Sequence, residues 1–403
     1  MTMSANNGII TEVVPFQERG RALGMIGSFV ALGSIAGPGI GGLILAHLSW
    51  GYIFWMNVPV GILAIILGQV ILPKDVTMSK LPIDKPGASL FALMMVSLFA
   101  GVFIGQQIGF TKPIILASFV IAIIATIIFV RVELHHDNPI LALQLFKNSR
   151  FSISILCAFL IFVANFFFNV ISPFYLENAR GLAANYAGYA LMTFPIVQVI
   201  VAPIAGAISD KIGPELLTFV GLVLITISQI GYMFADLTTP LWFFMFFIGL
   251  VGFGNGIFQA PNNSIVMSSV EVKDLGVAGG INALARELGM IIGISVATTV
   301  LYDAMSKSAG YKVTSYLPAH PEIFIDGMRV AFMVSLVICL IATGITGVRL
   351  LRRHWSYLVL GSWSLIDLSL ILNEHHRNFN NAVSSHRLGL QQKQIIQKIY
   401  LAP

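Results

Sequence analysis

The chain has 403 residues, 57% of them hydrophobic and only 10% charged, with a formal net charge of +5. A soluble domain carries about 25% charged residues. This composition, with a mean hydropathy of +0.86, therefore excludes a soluble globular protein and predicts an all-α, polytopic membrane protein. The excess bases stand singly at the ends of apolar stretches, which excludes a nucleic-acid binder. Cys157 and Cys339 both lie inside such stretches and imply no disulfide framework.

About ten transmembrane helices are predicted, over residues 22–46, 52–72, 88–106, 113–131, 152–175, 186–208, 215–234, 240–260, 277–302 and 327–349. Each is near the ~20 residues that a helix needs to cross the hydrocarbon core. Turn signals separate them, among them Pro73, Pro86-Gly87, Pro139 and Gly213-Pro214. With the start of the first span in the cytoplasm, the inside segments hold 13 Lys and Arg residues and the outside segments five: Lys112, Arg180, Lys307, Lys312 and Arg329. That asymmetry obeys the positive-inside rule.

The first span carries an unusual pattern: Gly24, Gly33, Gly37, Pro38, Gly41 and Gly42. Gly33, Gly37 and Gly41 recur every four residues, so they share one face of nearly bare backbone that a neighbouring helix can approach closely. Pro38 removes one backbone bond beside that face and is expected to bend the helix. Next comes Trp50-Gly-Tyr-Ile-Phe54-Trp-Met-Asn57-Val-Pro59-Val-Gly61, an aromatic belt followed by a proline near a helix start. Farther on, Gly206, Asp210, Lys211 and Gly213 form a short loop pattern between two spans. The glycines allow two helix ends to come close, and Asp210 can accept hydrogen bonds from a helix N-terminus across the gap. His135-His136-Asp137 reads as a solvated loop, because adjacent histidines point apart on a helix and make poor metal ligands.

The chain also repeats itself. A shift of 256 residues without gaps places Asn6-Asn7 on Asn262-Asn263 and aligns Gly20, Gly24, Gly33 and Gly37 with Gly276, Gly280, Gly289 and Gly293. Twelve of the 40 positions from 6 to 45 are identical. Two related halves are a recurrent design of secondary transporters. In the later half Asn262 follows four spans, whereas Asn6 follows five residues. By that arithmetic roughly 105 residues, three helices and most of a fourth, are expected to precede this segment in a complete two-half transporter.

The glycine pattern resembles the antiporter motif of drug:proton exporters in the major facilitator superfamily. The Trp50–Gly61 signature resembles the start of the sixth helix in its fourteen-span subfamily (EmrB/QacA type), with Tyr52 where that subfamily usually has Trp. Gly206–Gly213 resembles its cytoplasmic G-x-x-x-D-R-x-G loop, which would latch the inward-closed state. The resemblance covers about residues 1 to 350 and matches helices five to fourteen with a stub of helix four. It implies an N-terminally truncated chain with a remnant of the N-terminal half over 1–72 and two extra central helices over 73–131. A complete C-terminal six-helix half with its lead-in loop would fill 132–350, followed by an atypical tail over 351–403. Asp84-Lys-Pro-Gly87 resembles the short D-x-x-G approach to the central pair.

In this superfamily the first, second, fourth and fifth helices of each half line the cavity. The resemblance therefore implies Asn165, Asn169, Gln198, Asn255, Gln259, Asn282, Arg286 and Glu287 as candidate cavity residues; each Asn and Gln is also readable as a polar contact between helices, and Arg286-Glu287 as a charged pair that snorkels to the cytoplasmic surface. It implies proton-coupled export of small lipophilic or cationic drugs across the cell membrane, with the proton as coupling ion and no other cofactor. The expected partners are the bilayer and a small-molecule substrate, with no nucleic acid and no obligate protein partner. The early-helix acidic residue usual in the family is not in this chain, so no proton-coupling residue is assigned and coupled transport by this chain alone is not expected. The alternatives are export of another metabolite and an inactive remnant. An integral membrane enzyme is disfavoured, since no nucleophile–base pair or metal cluster falls in or beside the spans.

Overall fold

Hydrocarbon offers backbone groups no water to bond, so each apolar stretch of this length must close its hydrogen bonds within itself as a helix. The computed structural model shows this. It describes residues 14–15, 18, 21–22, 25–26, 29, 33, 44, 48–49, 51–71, 84–109, 111–135, 141–271 and 274–351, and no strand occurs among them. The helices are α1 (Gly51–Trp55), α2 (Asn57–Ile71), α3 (Lys85–Ile108), α4 (Pro113–His135), α5 (Ser149–Phe174), α6 (Ala184–Leu191), α7 (Thr193–Ile212), α8 (Pro214–Met233), α9 (Leu241–Ser268) and α10 (Leu275–Ala309), followed by α11 (Pro321–Leu351). Among the described residues, eight helical stretches are long and apolar enough to cross a membrane, and Asn57–Val70 is a shorter apolar helix. The first of the ten predicted spans lies largely outside the described residues, although 21–22, 25–26, 29, 33 and 44 are helical.

The chain divides into two units, 1–346 and 347–403. Of the second, only the last turn of α11 is described. In the first unit, α3 and α4 form a hairpin. Asp84 caps α3 by accepting a hydrogen bond from the Gly87 N–H (2.9 Å), with Pro86 in the first turn. Phe91 meets Phe129 across the hairpin at 5.7 Å between ring centroids. Its other faces are apolar and exposed, as at Val96, Ile114 and Ile123, which suits a helix pair surrounded by lipid.

Helices α5 to α11 form a six-span bundle in which α5 packs along α10 while α9 packs against both α7 and α8. Its largest core cluster includes Phe167, Phe168, Ile171, Tyr232, Phe244 and Phe332. Tyr232 stacks on Phe168 at 5.6 Å and packs on Phe332 at 4.8 Å. Phe167, Phe168 and Phe244 are thus core residues, while Phe246 is exposed.

Two helices differ from expectation for identifiable reasons. The span predicted at 186–208 is two pieces, α6 and α7, broken at Met192. Pro195 has no N–H to give to Leu191, so the ladder fails there. Helix α10 runs 35 residues, well past the predicted end at 302, and closes at Gly310 in the left-handed conformation (φ 77°). Its final turns are polar, so hydropathy does not register them.

Candidate functional site

Of the antiporter pattern, Gly24, Gly37, Pro38, Gly41 and Gly42 lie outside the described residues. Gly33 is described, and a Cβ built on it would meet no atom of the described residues within 4 Å. The repeat-related pair shows what such a face does. A Cβ on Gly289 would stand 2.6 Å from the Phe159 carbonyl oxygen, and one on Gly293 2.6 Å from that of Val163. No side chain fits there. Two glycines one turn apart let α10 lie directly on the α5 backbone, where dispersion contacts replace a hydrophobic drive that lipid does not supply.

The loop pattern sits where α7 turns into α8. Gly213 ends α7 with its N–H on the Ser209 carbonyl and adopts φ 92°, ψ 149°, which a glycine takes without strain. Pro214 then starts α8, its missing N–H being one the first turn does not need. Gly206 is buried on α7, and Lys211 is exposed at its end. The Asp210 carboxylate accepts a hydrogen bond from the backbone N–H of Arg21 at 3.1 Å. Arg21 and Ala22 are helical, so the acid faces the positive end of helical backbone contributed by the first span.

Two further links gather at this face, and the sequence reading did not single them out. Arg150, at the start of α5, lies 3.8 Å from Glu215 in the first turn of α8. Asn148 caps α5 through the Arg150 N–H and donates its amide to the Ser269 carbonyl at the end of α9 (2.8 Å). The available signals were an acid two residues after Gly213 and an Asn just before an apolar run, both helix-start signs. Neither names a partner more than sixty residues away.

The cavity candidates fall into two groups. On α5 and α9, Asn165 donates to the Asn255 side-chain oxygen (2.7 Å), and Asn255 donates back to that of Asn165 (3.1 Å) and to the Val251 carbonyl. Asn165 and Asn255 are 5% and 0% exposed, so this pair joins two helices. Asn169, one turn on, donates to the Asn165 carbonyl. On α10, buried Asn282 donates to the Asn263 side-chain oxygen (2.8 Å). Its neighbour Asn262 donates to the Ser154 carbonyl of α5 (3.1 Å). Arg286, a turn beyond Asn282, places its guanidinium 5.5 Å from the Phe162 ring centroid. Glu287 is exposed, Gln198 is buried on α7, and Gln259 is half-buried on α9. Among the described residues, no group of three His, Cys, Asp or Glu side chains converges as a metal site.

The family described as Major Facilitator Superfamily matches residues 1–294 and, a second time, 154–358. The chain is 28% identical over 345 residues to the riboflavin transporter RibZ of Clostridioides difficile, covering 85% of this chain and 73% of that protein. It is 26% identical over 285 residues to the multidrug resistance protein Stp of Mycobacterium tuberculosis (71% and 53%). It is 27% identical over 316 residues to the multidrug transporter protein MdtP of Bacillus subtilis (78% and 58%). The chain thus spans between about half and three quarters of the length of these relatives.

Proposed function

The chain belongs to the Major Facilitator Superfamily, and from that premise we propose that it serves proton-coupled export of small lipophilic or cationic drugs in the cell membrane. It is a multi-pass membrane transporter chain rather than an enzyme. The drug reading draws on the likeness to Stp and MdtP, both named for multidrug resistance or transport, and on the antiporter pattern in the first span. The observation that carries it is the hydrogen bond from the Arg21 N–H to Asp210. A carboxylate on a helix dipole across two spans is a contact that can form in one transport state and break in the other. In this reading residues 1–72 serve the first half, 73–131 are the central pair and 132–350 the second half. The proton is the coupling ion.

The likeness to RibZ favours a second reading, in which the substrate is a metabolite such as a flavin. Both are tested with vesicles that carry the complete two-half transporter including this chain, under an imposed pH gradient. Ethidium export that collapses with an uncoupler and falls in Asp210→Ala supports the first reading. Gradient-driven movement of riboflavin with none of ethidium favours the second. Movement of neither contradicts both.

A further inference from the structure

A cavity of about 870 Å³ opens between the end of α3, at Gly105 and Gly109, and the last turns of α10 with the segment 310–314 that follows. It lies apart from the Asp210 loop and from the Asn165–Asn255 pair. Its α3 wall is bare backbone, since Gly105 and Gly109 are one turn apart. Its α10 wall is polar. Among the described residues, Thr299, Tyr302, Tyr311 and Lys312 line it, and none of their side chains has a protein hydrogen-bond or ion-pair partner. Lys307 pairs with Asp303 at 2.7 Å, so those two charges offset each other and Lys312 leaves the lining positive.

Depth identifies the ligand. At 1.5 Å per residue the 35 residues of α10 extend about 52 Å, well beyond a hydrocarbon core of about 30 Å. The cavity therefore sits at head-group level on the predicted outer side, where Lys112, Lys307 and Lys312 also fall. Below it, Phe103 and Ile104 of α3 are each 46% exposed and offer acyl chains an apolar surface. The hairpin also meets the six-span bundle here, where α3 touches α10.

We propose that this cavity holds the phosphate of an anionic phospholipid from the adjoining leaflet, with Lys312 as its charge partner and Tyr302 and Tyr311 as hydroxyl donors, and that the bound lipid fills the junction between the central hairpin and the bundle. A basic residue near a membrane surface contributes roughly fivefold to affinity for an anionic lipid. The test uses the 403-residue chain purified in an uncharged detergent, with binding read by native mass spectrometry and by the shift in thermal midpoint. Phosphatidylglycerol is expected to bind and raise the midpoint where phosphatidylcholine does not. Lys312→Ala should weaken phosphatidylglycerol binding about fivefold, Lys312→Arg should restore it, and Lys147→Ala, at the opposite face, should leave it unchanged. Inorganic phosphate that displaces the lipid at millimolar concentration would keep the phosphate site and move its natural ligand into solution. Equal binding of the two lipids, or unaltered phosphatidylglycerol binding by Lys312→Ala, would overturn the proposal.

Discussion

At the scale of single residues, two side-chain amides are held at membrane depth by each other. Asn165 and Asn255 exchange two amide hydrogen bonds and are both buried. Removing one leaves the other desolvated and incompletely paired, at a cost of about 1–3 kcal/mol. Removing both takes away the need along with the bond. Asn165→Leu and Asn255→Leu should therefore each lower the thermal midpoint, and the double variant should lose less than the sum of the two. Strict additivity in that cycle would mean the pair contributes no coupling. The asparagines were legible in the sequence as polar residues inside spans, but their pairing was not, because 90 residues separate them. Asp210 was legible by its loop pattern and by its capacity to accept from a helix N-terminus. Its partner, 189 residues away, follows only from the folded chain.

At the scale of the helix, the governing contact is that of α10 on α5. Gly289 and Gly293 face the Phe159 and Val163 carbonyls so closely that one added carbon must move the backbone. Overpacking of this kind costs about 1–3 kcal/mol. Gly293→Ala should lower the thermal midpoint by several degrees, whereas Gly280→Ala, whose Cβ would meet nothing among the described residues within 4 Å, should leave it unchanged or raise it. Equal effects of the two substitutions would remove the close-approach explanation. The glycine spacing was readable in the sequence, and the repeat links Gly33 and Gly37 to this pair. Helix existence was readable as well, because long apolar runs have one solution in lipid. Helix limits were read less well. The break at Met192 depends on one missing N–H at Pro195, and the outer turns of α10 are polar helix that a hydropathy window passes over.

At the scale of the whole molecule, the family was legible because several short patterns fall at fixed distances along one chain, and the family match covers most of that chain. The substrate was not, since Asn165 and Asn255, two of the polar groups expected in a cavity, are spent on each other and Asn282 is spent on Asn263. Topology remains an expectation from lysine and arginine placement, with a direct check. Cysteine labelling should reach Lys312→Cys from outside and Lys80→Cys only after permeabilisation, and the reverse pattern would invert the chain. Native Cys157 and Cys339 are 1% and 0% exposed, so they add little background.

The same quiet background suits the measurement that bears most directly on the account, which holds that the contact between Arg21 and Asp210 belongs to one state of a transport cycle. The paired substitution Arg21→Cys with Lys211→Cys, placed in the complete two-half transporter, keeps both the Arg21 backbone N–H and the Asp210 carboxylate and sets one thiol on the donor residue and one next to the acceptor of the 3.1 Å hydrogen bond. Mild oxidation is predicted to join them, to stop pH-gradient-driven ethidium export, and to release it again on reduction, while each single variant is unaffected by the oxidant. Cross-linked transporter that exports ethidium as fast as the reduced form would contradict the account, because the contact would then persist through the whole cycle.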